Sequence, residues 1–150
     1  MTEVGKKAPD FRLPSTQGEL KLSDLTSRGK VLLAFYLEDH TPLCTSELSL
    51  LKEDYEIIQQ LGAQVVAISA DNLASHRDFD QRLGGLPFPL ASDEKLEAIK
   101  AYAVTDDSGK RSRRAIFVID KGGAILYQVP WFQPGNPSQY EEIFLALGFE

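Results

Sequence analysis

The spacing of apolar residues changes abruptly within the first third of the chain. From Val31 to Leu37 every residue is apolar or aromatic, the character of a strand buried on both faces. Beyond a charged break, Leu48, Leu51, Tyr55 and Ile58 recur at threes and fours, which predicts one face of a long helix running to Gly62. Thr41 and Pro42 suit the start of that helix. The threonine hydroxyl is expected to accept a bond from a first-turn N–H, and proline at the first helical position gives up a donor that had no partner. Cys44, the only cysteine, then falls in the first turn, where unpaired N–H groups and the helix dipole favour an anion. A thiol in that place is a candidate thiolate.

The same patterning orders the rest of the chain. Thr16-Gln17-Gly18 reads as the turn of a small hairpin, placed at a sheet edge by Pro9 and Pro14, and Ser23-Asp24-Leu25 as a brief turn. Ala63 to Ala70 is a second apolar strand, so strand, helix and strand form a right-handed unit with parallel strands. Asp71 and Asn72 cap a helix from Leu73 to Leu83, stopped by Gly84-Gly85. Leu86 to Leu90 carries two prolines and is an extended connector sending apolar side chains inward. Ser92-Asp93 caps a short helix, Glu94 to Tyr102, and Thr105 to Arg114 is a polar turn region. Ala115 to Ile119 and Ala124 to Val129 form a hairpin about Asp120-Lys121-Gly122-Gly123, and an amphipathic helix from Pro137 or Ser138 to Leu147 closes the chain. The sum is an α/β chain with a thioredoxin-like layout: a mixed central sheet flanked by helices, with an N-terminal hairpin extension and an inserted helix.

Composition narrows the function. A length of 150 residues with 43% hydrophobic content predicts one domain over residues 1–150. A formal net charge of −6 disfavours nucleic acid, and no stretch approaches the roughly 18 apolar residues of a membrane span. With no leader-like N-terminus, a soluble, cytoplasmic protein is expected. A single cysteine cannot form an internal disulfide, so any disulfide chemistry needs a second molecule. Glu38, Asp39 and Glu47 around Cys44 are all acidic, so a cation that stabilises a thiolate must come from elsewhere in the chain.

Thr41-Pro42-Leu43-Cys44-Thr45 followed by Glu47 resembles the reactive-cysteine segment of peroxiredoxins of the AhpC/TSA type, especially the bacterioferritin-comigratory or Q-type group. The likeness extends to GKKAPDFRLPSTQGELKLSDL, VLLAFYLED and FPLASD, and to Arg114-Ala115-Ile116-Phe117-Val118-Ile119-Asp120, similar to the late strand that begins with that family's arginine. The resemblance implies a thiol-dependent peroxidase that serves antioxidant defence and cell redox homeostasis. Cys44 would attack hydrogen peroxide or a small organic hydroperoxide, Thr41 would orient it, and Arg114 would polarise it and stabilise the thiolate. Arg113 is the competing assignment, because neighbouring strand residues face opposite ways. No cofactor or metal is implied.

Two departures from that pattern stand out. Leu37 occupies the place of a usual proline that shapes the pocket floor, and Ser49 stands where many Q-type relatives carry a resolving cysteine. The sulfenic acid must therefore be reduced by an external thiol, either a thioredoxin-like protein or a low-molecular-weight thiol. A monomer or homodimer is expected. His40 is either a modulator of Cys44 or a solvated loop residue; His76 reads as a surface residue, and neither makes a metal-binding spacing with the nearby acids. The run Lys110, Arg111, Arg113, Arg114 reads, outside Arg114, as a solvated turn. Trp131-Phe132 is either a lid on the core or an exposed patch. The rival reading is a non-catalytic thioredoxin-like interaction module in which Cys44 only packs.

Overall fold

Seven strands make one sheet in a computed structural model that describes residues 2–149. The chain runs β1 (Arg12–Ser15), β2 (Gly18–Lys21), α1 (Leu22–Thr26), β3 (Lys30–Phe35), α2 (Pro42–Glu53), α3 (Tyr55–Gln60), β4 (Ala63–Ser69) and α4 (Leu73–Arg82). It continues as β5 (Leu90–Ser92), α5 (Glu97–Ala101), β6 (Ala115–Ile119), β7 (Ile125–Val129) and α6 (Pro137–Leu147). Across the sheet the order is β2-β1-β5-β4-β3-β6-β7, parallel among β3, β4 and β5 and antiparallel toward both edges. The thioredoxin-like layout with its added hairpin is therefore the observed one.

The uninterrupted apolar run of β3 follows from its central place. Leu32, Ala34 and Tyr36 point to one face, with α2, α3, α4 and α6, while Val31, Leu33 and Phe35 point to the other, with α1 and α5. All six are fully buried, which accounts for the unbroken apolar and aromatic run from Val31 to Tyr36. Gly29 launches it, because a Cβ there would stand 2.7 Å from the backbone oxygen of Gly62.

Three elements differ from the sequence expectation. The long helix bends at Asp54, which leaves helical geometry and whose carboxylate accepts the Tyr140 hydroxyl of α6 at 2.7 Å. Aspartate is a weak helix former, and the bend leaves the buried face of Leu48, Leu51 and Ile58 continuous. The inserted helix starts at Glu97, later than Glu94, because Leu96 adopts a left-handed φ of 60° and Asp93 accepts the amides of Glu97 and Ile99. The expected turn at Ser23-Asp24-Leu25 is the body of α1.

This topology brings the C-terminal ends of β3 and β4 to one edge with the start of β6. Ala115 pairs with Phe35, so Arg114 stands level with Tyr36 where the β3–α2 loop leaves the sheet. Ligands of open α/β sheets bind at such an edge. Asn136 caps α6, accepting from Ser138 N and Gln139 N at 3.0 and 3.2 Å. Replacing Asn136 with alanine should cost about 1 kcal/mol in urea unfolding; an unchanged midpoint would remove that cap from the account of α6.

Candidate active site

Cys44 sits in the first turn of α2, as its place after Thr41-Pro42 requires, and its side chain is 0% exposed, packed in the core cluster that contains Tyr36, Leu48 and Phe79. Thr41 is the N-cap residue and Pro42 opens the helix, but the threonine hydroxyl does not cap it. It donates instead to the Glu38 carbonyl at 3.1 Å, turned back into its own loop. The Thr41 carbonyl still accepts the first helical bond, from Thr45 N at 2.8 Å. The first-turn amides around Leu43 and Cys44 thus receive no side-chain cap and keep their positive end beside the sulfur.

The acidic character read from the loop is cancelled in three separate ways. Glu38 pairs with Arg111 at 2.9 Å. Asp39 accepts from His76 Nδ1 at 2.8 Å, from the Tyr36 hydroxyl at 2.6 Å and from the Ser75 hydroxyl at 2.7 Å. Burial opposes its ionisation, yet the bond from His76, the charge of that ring and the two hydroxyl bonds outweigh burial and hold the carboxyl below its ordinary range. Glu47 differs from both. It lies one turn beyond Cys44, is fully buried, and among the described residues neither of its oxygens has a hydrogen-bond partner. Burial pushes its carboxyl well above the usual range, and the attraction of Arg114 offsets only part of that. An ionised carboxylate with no donors is costly in such a place, so the neutral acid is favoured.

The basic run after Thr105 is only in part the solvated turn expected: Lys110 is exposed, but Arg111 and Arg113 have partners. Arg111 holds Glu38, and Arg113 is committed to the scaffold: its Nε donates to Pro130 O at 2.8 Å, its Nη2 to Ala103 O at 3.0 Å, and its guanidinium lies 4.1 Å from the Trp131 ring centre. Arg114 remains, half-buried, with its Nε lacking a partner among the described residues. Leu37, Arg114, Trp131 and Phe132 line one cavity of about 210 Å³, so the residue in place of the usual proline does wall the space beside the arginine. Trp131 and Phe132 divide the two alternatives between them, the former 60% exposed and the latter buried.

His76 is where sequence reasoning failed. It is fully buried, because it stands three residues before Phe79 on the inward face of α4, a spacing that marked it as a core position. Asp39, Asp71 and His76 bring ligand atoms within 4.8 Å of one another. Those atoms are engaged internally: Asp71 accepts from Asp39 N and the Ser69 hydroxyl, and His76 Nε2 donates to Ala91 O. His40, exposed as one alternative had it, stands 3.3 Å from the Asp78 carboxylate and packs against the Phe79 ring.

Residues 4–128 match the family described as AhpC/TSA. A peroxiredoxin of Thermoplasma volcanium is 34% identical, over 96% of this chain and 72% of that protein. A putative peroxiredoxin bcp of Coxiella burnetii is 39% identical, over 82% and 85%. Among solved structures, the peroxidoxin BcpB of Mycobacterium tuberculosis superposes with a TM-score of 0.88 at 27% identity, over 99% of this chain and 97% of that one.

The state of Glu47 has a sign that can be measured. A carboxyl whose folded value lies above its unfolded value near 4.5 contributes stability at low pH that is lost as pH rises above about 4.5. Glu47→Gln removes this loss, so its stability in urea relative to the natural chain should be greater at pH 8 than at pH 4.5. A difference that stays constant across that range would contradict a neutral Glu47.

Proposed function

We propose that Cys44 is the oxidised sulfur of this chain, which belongs to the AhpC/TSA family and is a thiol-dependent peroxidase, and that Thr41 and Arg114 act beside it. The observation that carries this reading is a thiol in an uncapped helix turn together with an arginine, Arg114, whose charge acts on Glu47 one turn further along that helix and which forms no ion pair among the described residues. In the reaction, the Cys44 thiolate attacks one peroxide oxygen. An S–O bond forms as the O–O bond breaks, and the departing hydroxide or alkoxide takes up a proton to leave as water or alcohol. Arg114 and the amides of Leu43 and Cys44 supply positive charge where negative charge develops. Thr41 exchanges its bond to Glu38 O for one to the peroxide and so orients it.

The product is a sulfenic acid at Cys44, and no second cysteine exists to resolve it. An external thiol condenses with it to a mixed disulfide and water, and a second thiol releases the reduced enzyme. A thioredoxin-like protein or a low-molecular-weight thiol fits that role. Ser49 is exposed, on the side of α2 away from buried Cys44, so even a cysteine there would need the helix to open before it could reach the sulfur. The full burial of Cys44 favours hydrogen peroxide and small organic hydroperoxides over bulky ones. Within this reading the chain acts as a single domain over residues 1–150, in the cytoplasm, as a monomer or homodimer; among the described residues no helix is long and apolar enough to cross a membrane. Family membership sets aside the non-catalytic module.

One equivalent of hydrogen peroxide should give a sulfenic acid at Cys44 that a dimedone probe traps and mass spectrometry locates; no adduct at Cys44 would refute the assignment. Cys44→Ser should abolish turnover. Arg114→Ala should slow the oxidation step by about 10²- to 10³-fold with the fold retained, and an unchanged stopped-flow rate would remove Arg114 from the reaction.

A further inference from the structure

We propose that His76 is a positioning residue for the reaction at Cys44, acting through Asp39 to fix the loop that delivers Thr41 and the first turn of α2. The inference rests on the reading that Cys44 is the oxidised sulfur, and it concerns a group that touches neither the sulfur nor the peroxide.

The ring is committed at both nitrogens. Nε2 lies 3.0 Å from the Ala91 carbonyl, which only accepts, so Nε2 carries a hydrogen. Nδ1 lies 2.8 and 3.1 Å from the two oxygens of Asp39. When Asp39 is ionised, the ring must donate from both sides, which makes it an imidazolium paired with a carboxylate inside the core. Such a pair is stable only if its remaining hydrogen-bonding capacity is filled. It is: the Tyr36 and Ser75 hydroxyls complete the Asp39 carboxylate, and the Asp39 amide donates to Asp71 Oδ2 at 2.9 Å, which also accepts from Ser69.

What this cluster restrains is local. Asp39 is followed by His40 at φ 68°, a left-handed conformation uncommon for a residue other than glycine. Thr41 comes next, at the N-cap of the helix that carries Cys44. The strained turn is held from one side by α2 and from the other by Asp39, whose side-chain partners outside its own loop, Ser75 and His76, both stand on α4. Without the Nδ1 donor, Asp39 is a buried charge short of one bond, and the turn loses the contact that fixes its angle of entry into α2.

Two substitutions separate positioning from mere packing. The amide of asparagine reaches about where Nδ1 stands and can donate to Asp39, whereas the amide of glutamine reaches toward the Ala91 carbonyl and leaves Asp39 unserved. In stopped-flow oxidation of the full chain by hydrogen peroxide, His76→Gln should be slower by about 10- to 100-fold, while His76→Asn should recover most of the natural rate despite a comparable loss of stability in urea. Equal rates in the two variants, whether both unchanged or both reduced, would overturn the proposal. Ser75→Ala, at a half-buried position that tolerates the change, removes one Asp39 partner and should slow oxidation more modestly with the fold intact; an unchanged rate there counts against the proposal even if both His76 variants fail to fold. Failure of the natural chain to form sulfenic acid at Cys44 would instead overturn the reading beneath it.

Discussion

The site depends on how the chain disposes of negative charge beside its one sulfur. Glu38, Asp39 and Glu47 flank Cys44, and three carboxylates left ionised and free there would oppose both a thiolate and the negative charge that develops on a departing peroxide oxygen. Each is handled by a different physical means. Glu38 is paired near the surface, where an ion pair contributes little to stability but does cancel charge. Asp39 is ionised and saturated with donors inside the core. Glu47 is stripped of water and partners until the neutral form is favoured. Among the described residues, Arg114 at this edge of the sheet forms no ion pair with a carboxylate. In the proposed chemistry that free charge is what the thiolate and the departing oxygen both use.

The fold makes this arrangement possible by stacking three junctions at one sheet edge. The β3–α2 loop brings Thr41 and Cys44, the β4–α4 junction brings Asp71, Ser75 and His76, and the entry to β6 brings Arg114. The three junctions are far apart in sequence. Parallel pairing of β3 with β4 and antiparallel pairing of β3 with β6 align the three, so the all-apolar β3 strand serves the site by fixing its neighbours in register. Arg113, one residue from Arg114, is bound to Pro130, Ala103 and Trp131, while the Nε of Arg114 has no partner among the described residues.

Much of this was legible in the chain. The buried strand, the helix beginning at Pro42, the second strand and the late hairpin follow from apolar periodicity, and the family followed from the segments around Cys44 and Arg114. What was not legible depends on contacts between distant segments. The Thr41 hydroxyl had two competing acceptors and donors within four residues, and only the loop shape decides for Glu38 O. The acidity of Glu38, Asp39 and Glu47 was plain, but their neutralisation needs Arg111, His76 and burial, none of which a local window contains. His76 was misread as a surface residue because charge type was weighed above its spacing from Phe79. The helix bends at Asp54, where a tyrosine 86 residues later donates its hydroxyl to the carboxylate.

The claim on which the rest turns is that Glu47 carries its proton and leaves Arg114 uncompensated. Infrared spectroscopy of the reduced chain at neutral pH, with and without ¹³C-labelled glutamate, reads that proton directly. A label-sensitive C=O stretch of a protonated carboxyl, set apart from the ionised glutamates at the surface, is the expected result. A spectrum containing only ionised glutamate bands would mean that Glu47 is a carboxylate and that its charge opposes Arg114 beside Cys44.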